Sequence, residues 1–504
     1  MDLYIKIAML VAFFGSMIGV GLYCRKKSTD VNGFVLGGRS VGPWLTAFAY
    51  GTSYFSAVVF VGYAGQFGWK FGIAAAWAGV GNAILGSLLA WAVLGKRTRV
   101  MTQHLNSATM PQFFESRYGN KSLKLAASAV IFIFLIPYTA SLYNGLSRLF
   151  GMAFNIDYSV CVIVMAVLTA IYVIAGGYMA TAINDFIQGI IMIFGIIAVI
   201  LAVLNQNGGL GEAVEALGQV SDEGASAGSF NSIFGPDPWG LLGVVLLTSL
   251  GTWGLPQMVQ KFYAIKNEKA IGKGMVISTI FALVVAGGCY FLGGFGRLYA
   301  DKVTSDPMNF DSIVPTMLED LSPILIGVVV ILVLSASMST LSSLVLTSSS
   351  TLTLDFIKGN VVKKMSEKKQ LLIIRILIAV FIAISVVIAI LQYKSNVSFI
   401  AQLMGISWGA LAGAFLAPFL YGLYWKRATA SSVWASILFS TVVMIANILW
   451  KSLFPAILQS PINCGAFCML AGLIIVPVVS LMTKPPKKEH LEQVFSCYNK
   501  EEVK

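Results

Sequence analysis

The sequence predicts an all-α polytopic membrane protein, and three observations carry that prediction. Only 11% of the 504 residues are charged against 57% hydrophobic. Apolar runs of about 20 residues, the length that crosses a bilayer as a helix, recur along the chain. Basic residues gather in short clusters between those runs, as topology signals do. A soluble domain covers its surface with roughly a quarter charged residues, which this chain cannot supply. The net charge of +12 therefore marks membrane orientation and not nucleic-acid affinity. Two histidines, His104 and His490, and six scattered cysteines imply no Ser-His-Asp triad, His-rich metal site or disulfide framework. No enzyme is expected.

Thirteen spans are expected, beginning near residues 4, 45, 72, 124, 158, 184, 238, 274, 322, 371, 398, 430 and 462. The first apolar run, from Tyr4, is followed by Arg25-Lys26-Lys27 and not preceded by a basic segment, which reads as a retained span and not a cleaved leader. Arg25 to Lys27 and Arg39, Lys96/Arg97/Arg99, Lys261/Lys266/Lys269/Lys273, Lys358 to Lys369, Lys426/Arg427 and Lys484 to Lys488 fall on one side, which should be cytoplasmic. Asn205 to Gly240 carries Glu212, Glu215, Asp222, Glu223 and Asp237 without a Lys or Arg, and Asp301 to Asp320 is mainly acidic, so both belong outside. The N-terminus is then outside and the C-terminus inside, with 1–483 forming one transmembrane domain and 484–504 a short cytoplasmic tail.

The second and seventh spans are interrupted alike, by Gly51-Thr52-Ser53-Tyr54-Phe55-Ser56 and by Thr248-Ser249-Leu250-Gly251-Thr252-Trp253-Gly254-Leu255-Pro256. Glycine permits unusual backbone angles and Pro256 removes a donor, so each helix should unwind at mid-membrane and free carbonyl oxygens. The two lie five spans apart in opposite orientations. A matched pair of interrupted spans is the signature of inverted repeats, here about 44–204 and 238–425, with a binding site at the midplane.

The ninth span offers twelve hydroxyls in the nineteen residues from Ser335 to Thr353. A lone Ser or Thr in a helix ordinarily bonds its own helix's carbonyls. Here Ala336, Ser339 and Ser343 recur at three- and four-residue spacing with Thr340 and Ser342 beside them, so one stripe can present oxygens to two neighbours. Hydroxyls with freed carbonyls suit a hard monovalent cation such as sodium. Asp185 stands at the expected edge of the sixth span. An acid at membrane depth is a functional candidate, whereas at the water interface it would merely snorkel or cap the helix. Arg148 and Arg375 read as interfacial anchors, and Tyr138, Tyr143, Trp253 and Trp408 as packing or pocket aromatics.

Taken in order, several motifs resemble the sodium:solute symporter family, and most of all its bacterial sodium/proline and sodium/pantothenate type. They are Phe34-x-Leu36-Gly37-Gly38-Arg39-Ser40-x-Gly42-Pro43, Thr109-x-Pro111-Gln112-Phe113-Phe114-Glu115-x-Arg117-Tyr118-Gly119, and Ala175-Gly176-Gly177 with Asp185-x-x-Gln188. Met338 to Ser343, and Trp408-Gly409 to Pro418 followed by Leu423-Tyr424-Trp425-Lys426-Arg427, complete the set. The resemblance implies a LeuT-type 5+5 inverted repeat of spans two to six and seven to eleven, with spans one, twelve and thirteen peripheral. It also implies a sodium site from the carbonyls of Thr52, Phe55 and Ala336 with the hydroxyls of Ser339 and Thr340. A second sodium would use Asp185 with Ser339, Ser342 and Ser343.

The implied activity is sodium-coupled import of a small organic solute through the plasma membrane, with one or two sodium ions co-transported. Where the proline symporters carry aromatic and acidic groups, this chain has Tyr54, Val58, Thr248 and Thr252, although Tyr138 keeps the aromatic. Ser56, Tyr138, Thr252, Trp253, Gln257 and Gln402 are the candidate solute contacts, in a pocket expected to be neutral and without a buried Lys or Arg. An amino acid or monocarboxylate is the leading solute, with a sugar or sialic acid as alternative. A solute sensor acting through a separate partner, or a sodium leak, are the competing classes. The expected partners are solute, sodium and lipid, with no nucleic acid, and the sequence leaves oligomeric state open.

Overall fold

Every regular element among the described residues is helical, and β contacts are limited to three isolated bridges. The computed structural model describes residues 2–154, 157–222, 224–303, 310–358, 360–362, 364–395 and 400–499. The expected start of the eleventh span, near 398, lies outside them, and its helix is described as Ile400–Tyr424.

Among the described residues, ten helices are long and apolar enough to cross a membrane, or eleven when Pro238–Gly254 and Pro256–Ala264 form one bent span. Two of the ten, Val58–His104 and Tyr158–Gln206, run 47 and 49 residues. That is roughly 70 Å of helix against about 30 Å of hydrocarbon. Each is broken by a glycine at positive φ, Gly72 (φ 61, ψ −144) and Gly177 (φ 55, ψ −147). Glycine adopts such angles without a Cβ clash. With each break taken as a turn between two passes, the thirteen spans of the sequence are all accommodated. One boundary moves: helix resumes directly after Gly177, so the sixth span begins before the expected residue 184.

The two interrupted spans break in the same way. Pro43–Tyr54 stops where Phe55 turns extended (φ −83, ψ 117), and Pro238–Gly254 stops where Leu255 does (φ −77, ψ 124). In each, the extended residue's amide still reaches a glycine carbonyl four residues back, Gly51 at 3.3 Å and Gly251 at 3.2 Å. Pro256 explains the second break directly, since it has no amide and drives the residue before it out of the helical region. The first break is closed by Ser56, whose Oγ accepts the Val58 amide at 3.2 Å before helix resumes in the wide turns of Val58–Tyr63.

Burial separates the centre from the rim. The apolar windows of the ninth and eleventh spans are 78% and 89% buried, whereas that of the first is 22% buried and faces outward. Loops segregate by charge. At the basic end, Arg39 donates to the carbonyls of Ser107 (2.6 Å) and Tyr263 (3.3 Å), and Arg97 to that of Leu423 (3.1 Å). Val41 and Ile265, next to the two broken spans, form a parallel bridge through Val41 N to Ala264 O (3.2 Å) and Lys266 N to Val41 O (3.0 Å). A helix in the tail, Lys488–Asn499, docks there through Tyr498, whose hydroxyl donates to Arg97 O at 3.1 Å. At the other end, Arg297 pairs with Asp222 at 2.6 Å, and Ile73 N bonds Phe230 O at 3.0 Å.

Candidate functional site

The break in the second span leaves carbonyls pointing at the hydroxyl stripe of the ninth. Ser339 Oγ lies 3.1 Å from both Thr52 O and Ala336 O. Thr340 Oγ1 lies 3.0 Å from Thr52 O, 3.2 Å from Phe55 O and 3.1 Å from Ala336 O. All five oxygens that the sequence nominated are therefore together. A hydroxyl carries one proton, so two hydroxyls cannot satisfy five such contacts at once. Three carbonyls and two hydroxyls, buried and short of protons, form an acceptor-rich nest whose electrostatic complement is a small cation.

Asp185 stands in a different setting from the interfacial one its sequence position suggested. The helix that resumes after Gly177 carries it inward, and it is fully buried. Its Oδ2 faces Lys261 Nζ at 3.8 Å. Lys261, grouped by sequence with the basic loop residues, is 2% exposed on the half-helix Pro256–Ala264. The expectation of a pocket without a buried Lys or Arg is thereby corrected, because that half-helix continues past Lys261 and the loop begins only at extended Ile265. The ammonium also donates to Ser343 Oγ at 3.0 Å, which in turn is 3.0 Å from Ser53 Oγ. Ser342 Oγ instead donates to Ser339 O at 2.9 Å within its own helix.

The candidate solute contacts divide into two groups. Tyr138, fully buried, stands edge-on to Trp408 with centroids 6.0 Å apart. Gly251, on the last turn before the seventh-span break, packs on Trp408 so closely that an added Cβ would fall 2.4 Å from a ring carbon. Gln257, just beyond that break, has neither amide atom hydrogen-bonded, and the Tyr138 hydroxyl and Trp408 Nε1 are also without partners. Ser56 lies buried in the other break. Thr252 and Trp253 point elsewhere: Thr252 Oγ1 reaches Gly86 O and Ser249 O, each at 2.9 Å, and Trp253 Nε1 donates to Leu85 O at 2.8 Å. Both bond the wide-turn stretch Asn82–Leu89, so their polar atoms serve helix packing. Gln402 is half-buried near the start of the eleventh span. The side chains of Tyr54 and Arg148 lie outside the described residues.

Comparison with known proteins places this geometry. The sequence pattern of the sodium:solute symporter family matches residues 34–439. The chain is 29% identical to the osmoregulated proline transporter OpuE of Bacillus subtilis (strain 168) over 94% of both chains. It is 30% identical to a sodium/proline symporter of Staphylococcus aureus (strain JH9), over 95% of this chain and 93% of that one. A solved sodium-coupled sialic acid symporter, in a substrate-bound outward-open state, superposes with a TM-score of 0.74 over 96% of this chain and 99% of its own, at 18% identity. That likeness shows a shared LeuT-type fold. The chain belongs to the sodium:solute symporter family, and is a multi-pass membrane protein that takes up a small solute together with sodium.

Proposed function

We propose that this symporter imports a small amino acid or monocarboxylate, with sodium held by Thr52, Phe55, Ala336, Ser339 and Thr340. The supporting observation for the solute is the set of buried, unpartnered polar atoms on Gln257, Tyr138 and Trp408 beside the two helix breaks. Buried polar groups are normally hydrogen-bonded, and a ligand is the natural partner of those that are not. Their surroundings are aromatic and their number small, which suits a compact solute better than a polyol that needs many hydrogen bonds. The one buried cation nearby, Lys261, is already matched by Asp185. A solute carboxylate would therefore meet the positive end of the helix dipole at the start of Pro256–Ala264. The proline named for the relatives is the first solute to test.

Sodium would join the broken second span to the ninth and so organise the gap into which solute fits. One sodium brings about 2.3 kcal/mol per 100 mV of membrane potential and about 1.4 kcal/mol per tenfold gradient. We assign the basic end to the cytoplasm, the N-terminus to the outside, and residues about 44–204 and 238–425 to the two inverted repeats in the plasma membrane. The test is uptake into proteoliposomes of labelled proline, short monocarboxylates, pantothenate, glucose and sialic acid, with and without an inward sodium gradient. Sodium-dependent accumulation of an amino acid or monocarboxylate is expected. Accumulation of glucose or sialic acid alone would overturn the assignment.

A further inference from the structure

We propose that the Lys261 ammonium is a built-in cation that takes the place of a second sodium, so that one sodium accompanies each solute. The groups that would hold a second ion are Asp185, Ser339, Ser342 and Ser343. Two of these groups, Asp185 and Ser343, are already engaged by the lysine. Ser339 belongs to the nest with Thr52 O and Ala336 O, and Ser342 donates back into its own helix. Ser343 Oγ accepts the Lys261 ammonium at 3.0 Å. The carboxylate of Asp185 faces the same ammonium at 3.8 Å, with side-chain exposures of 3% and 0% for the two partners. The Tyr178 ring lies beneath it, 5.1 Å from Nζ to the centroid, which adds a π face to the acceptors.

A sodium ion bound to Asp185 and Ser343 would sit against this ammonium in a buried site. Two like charges at that separation, away from water, repel strongly, and only one carboxylate is present to offset them. Lys261 already supplies what an ion would supply: a positive charge with three donors, aimed at an acid on the sixth span and a hydroxyl on the ninth. It differs in being covalently tied to the seventh span's inner half-helix, one turn beyond Gln257. The link between that half-helix and the sixth and ninth spans therefore does not depend on external sodium. Only the Thr52–Thr340 nest is left to sense the sodium gradient.

The experiment counts bound 22Na+ per molecule of purified full-length protein by equilibrium dialysis, with no solute needed. One sodium is expected for the unmodified protein. Lys261→Ala, which uncovers Asp185 and Ser343, is expected to bind two. The double variant Lys261→Met/Asp185→Asn removes both buried charges, and so guards against misfolding from a lone one. It is expected to bind one. Two sodium ions on the unmodified protein would overturn the proposal, as would a count of one in Lys261→Ala or loss of all sodium in the double variant. No sodium on the unmodified protein but one on Lys261→Ala would support the lysine's role while refuting the nest of the second and ninth spans, so the two assignments fail separately.

Discussion

Thr340 makes the sharpest case at the residue scale, because its one hydroxyl touches all three carbonyls of the nest. Thr340→Val keeps the side chain's shape and removes the oxygen. Contacts of this kind to a charged partner contribute about 1.5–3 kcal/mol, so the sodium concentration for half-maximal uptake should rise about ten- to a hundredfold. Thr340→Ser should stay within a few-fold of the parent, and an unchanged sodium dependence in Thr340→Val would remove Thr340 from the site. Helical spacing of Ala336, Ser339 and Ser343, with Thr340 beside them, and a glycine-rich interruption made an oxygen-rich joint legible in the sequence, while the particular five candidate ligands came from the family resemblance. Lys261 was not legible. Charge alone does not distinguish it from Lys266, Lys269 and Lys273, and the end of the half-helix at Ala264 is what places it inside. A usable signal existed: Lys261 lies five residues after Pro256, still within the first turns of the helix that the proline starts, and one turn after Gln257.

Among the elements, the turn between the fifth and sixth spans decides where Asp185 sits. A break was expected between spans beginning near 158 and 184, but its position within the apolar run was not, so the sequence placed the sixth span too late and Asp185 at an edge. The backbone of Gly177 at φ 55 supplies the turn, and an added Cβ would fall 2.7 Å from Phe34 O. Gly177→Ala is therefore strained by about 1–3 kcal/mol from conformation alone, and by more if Phe34 cannot move. A lower unfolding temperature of the purified protein in detergent is expected, as Asp185 and the helix around it shift. An unchanged melting temperature would mean that the turn is not needed to set the helix. By contrast, the breaks in the second and seventh spans were visible in advance, since Leu255-Pro256 has only one low-energy outcome and the Gly51 segment repeats its pattern five spans earlier.

At the scale of the whole molecule, the proposed assignment of the basic end to the cytoplasm makes it the exit for solute, and backbone contacts join the loops there. Val41, just before the second span, donates to Ala264 O and accepts from Lys266 N on either side of Ile265, so the segments flanking the two broken helices are joined there. Arg39 reinforces the joint by donating to carbonyls on both sides of it, at Ser107 and Tyr263. Burial, and then the like charge of Arg99, lower the Arg39 guanidinium to about 10 against the opposing pull of Tyr263, so it remains cationic at neutral pH. Charge patterning in the sequence grouped these loops at one end, but backbone pairing has no side-chain signature and could not be read there. We predict that this bridge parts in the transport cycle. Bridged backbones lie about 4.8 Å apart, a separation that a disulfide spans without distortion. Val41→Cys/Ile265→Cys should therefore cross-link under mild oxidation and stop solute uptake, and reduction should restore it. Binding of 22Na+ should persist in the oxidised protein, because the Thr52–Thr340 nest needs no opening at the basic end. Uptake that continues at full rate with the cross-link formed would show that the basic end is not the exit.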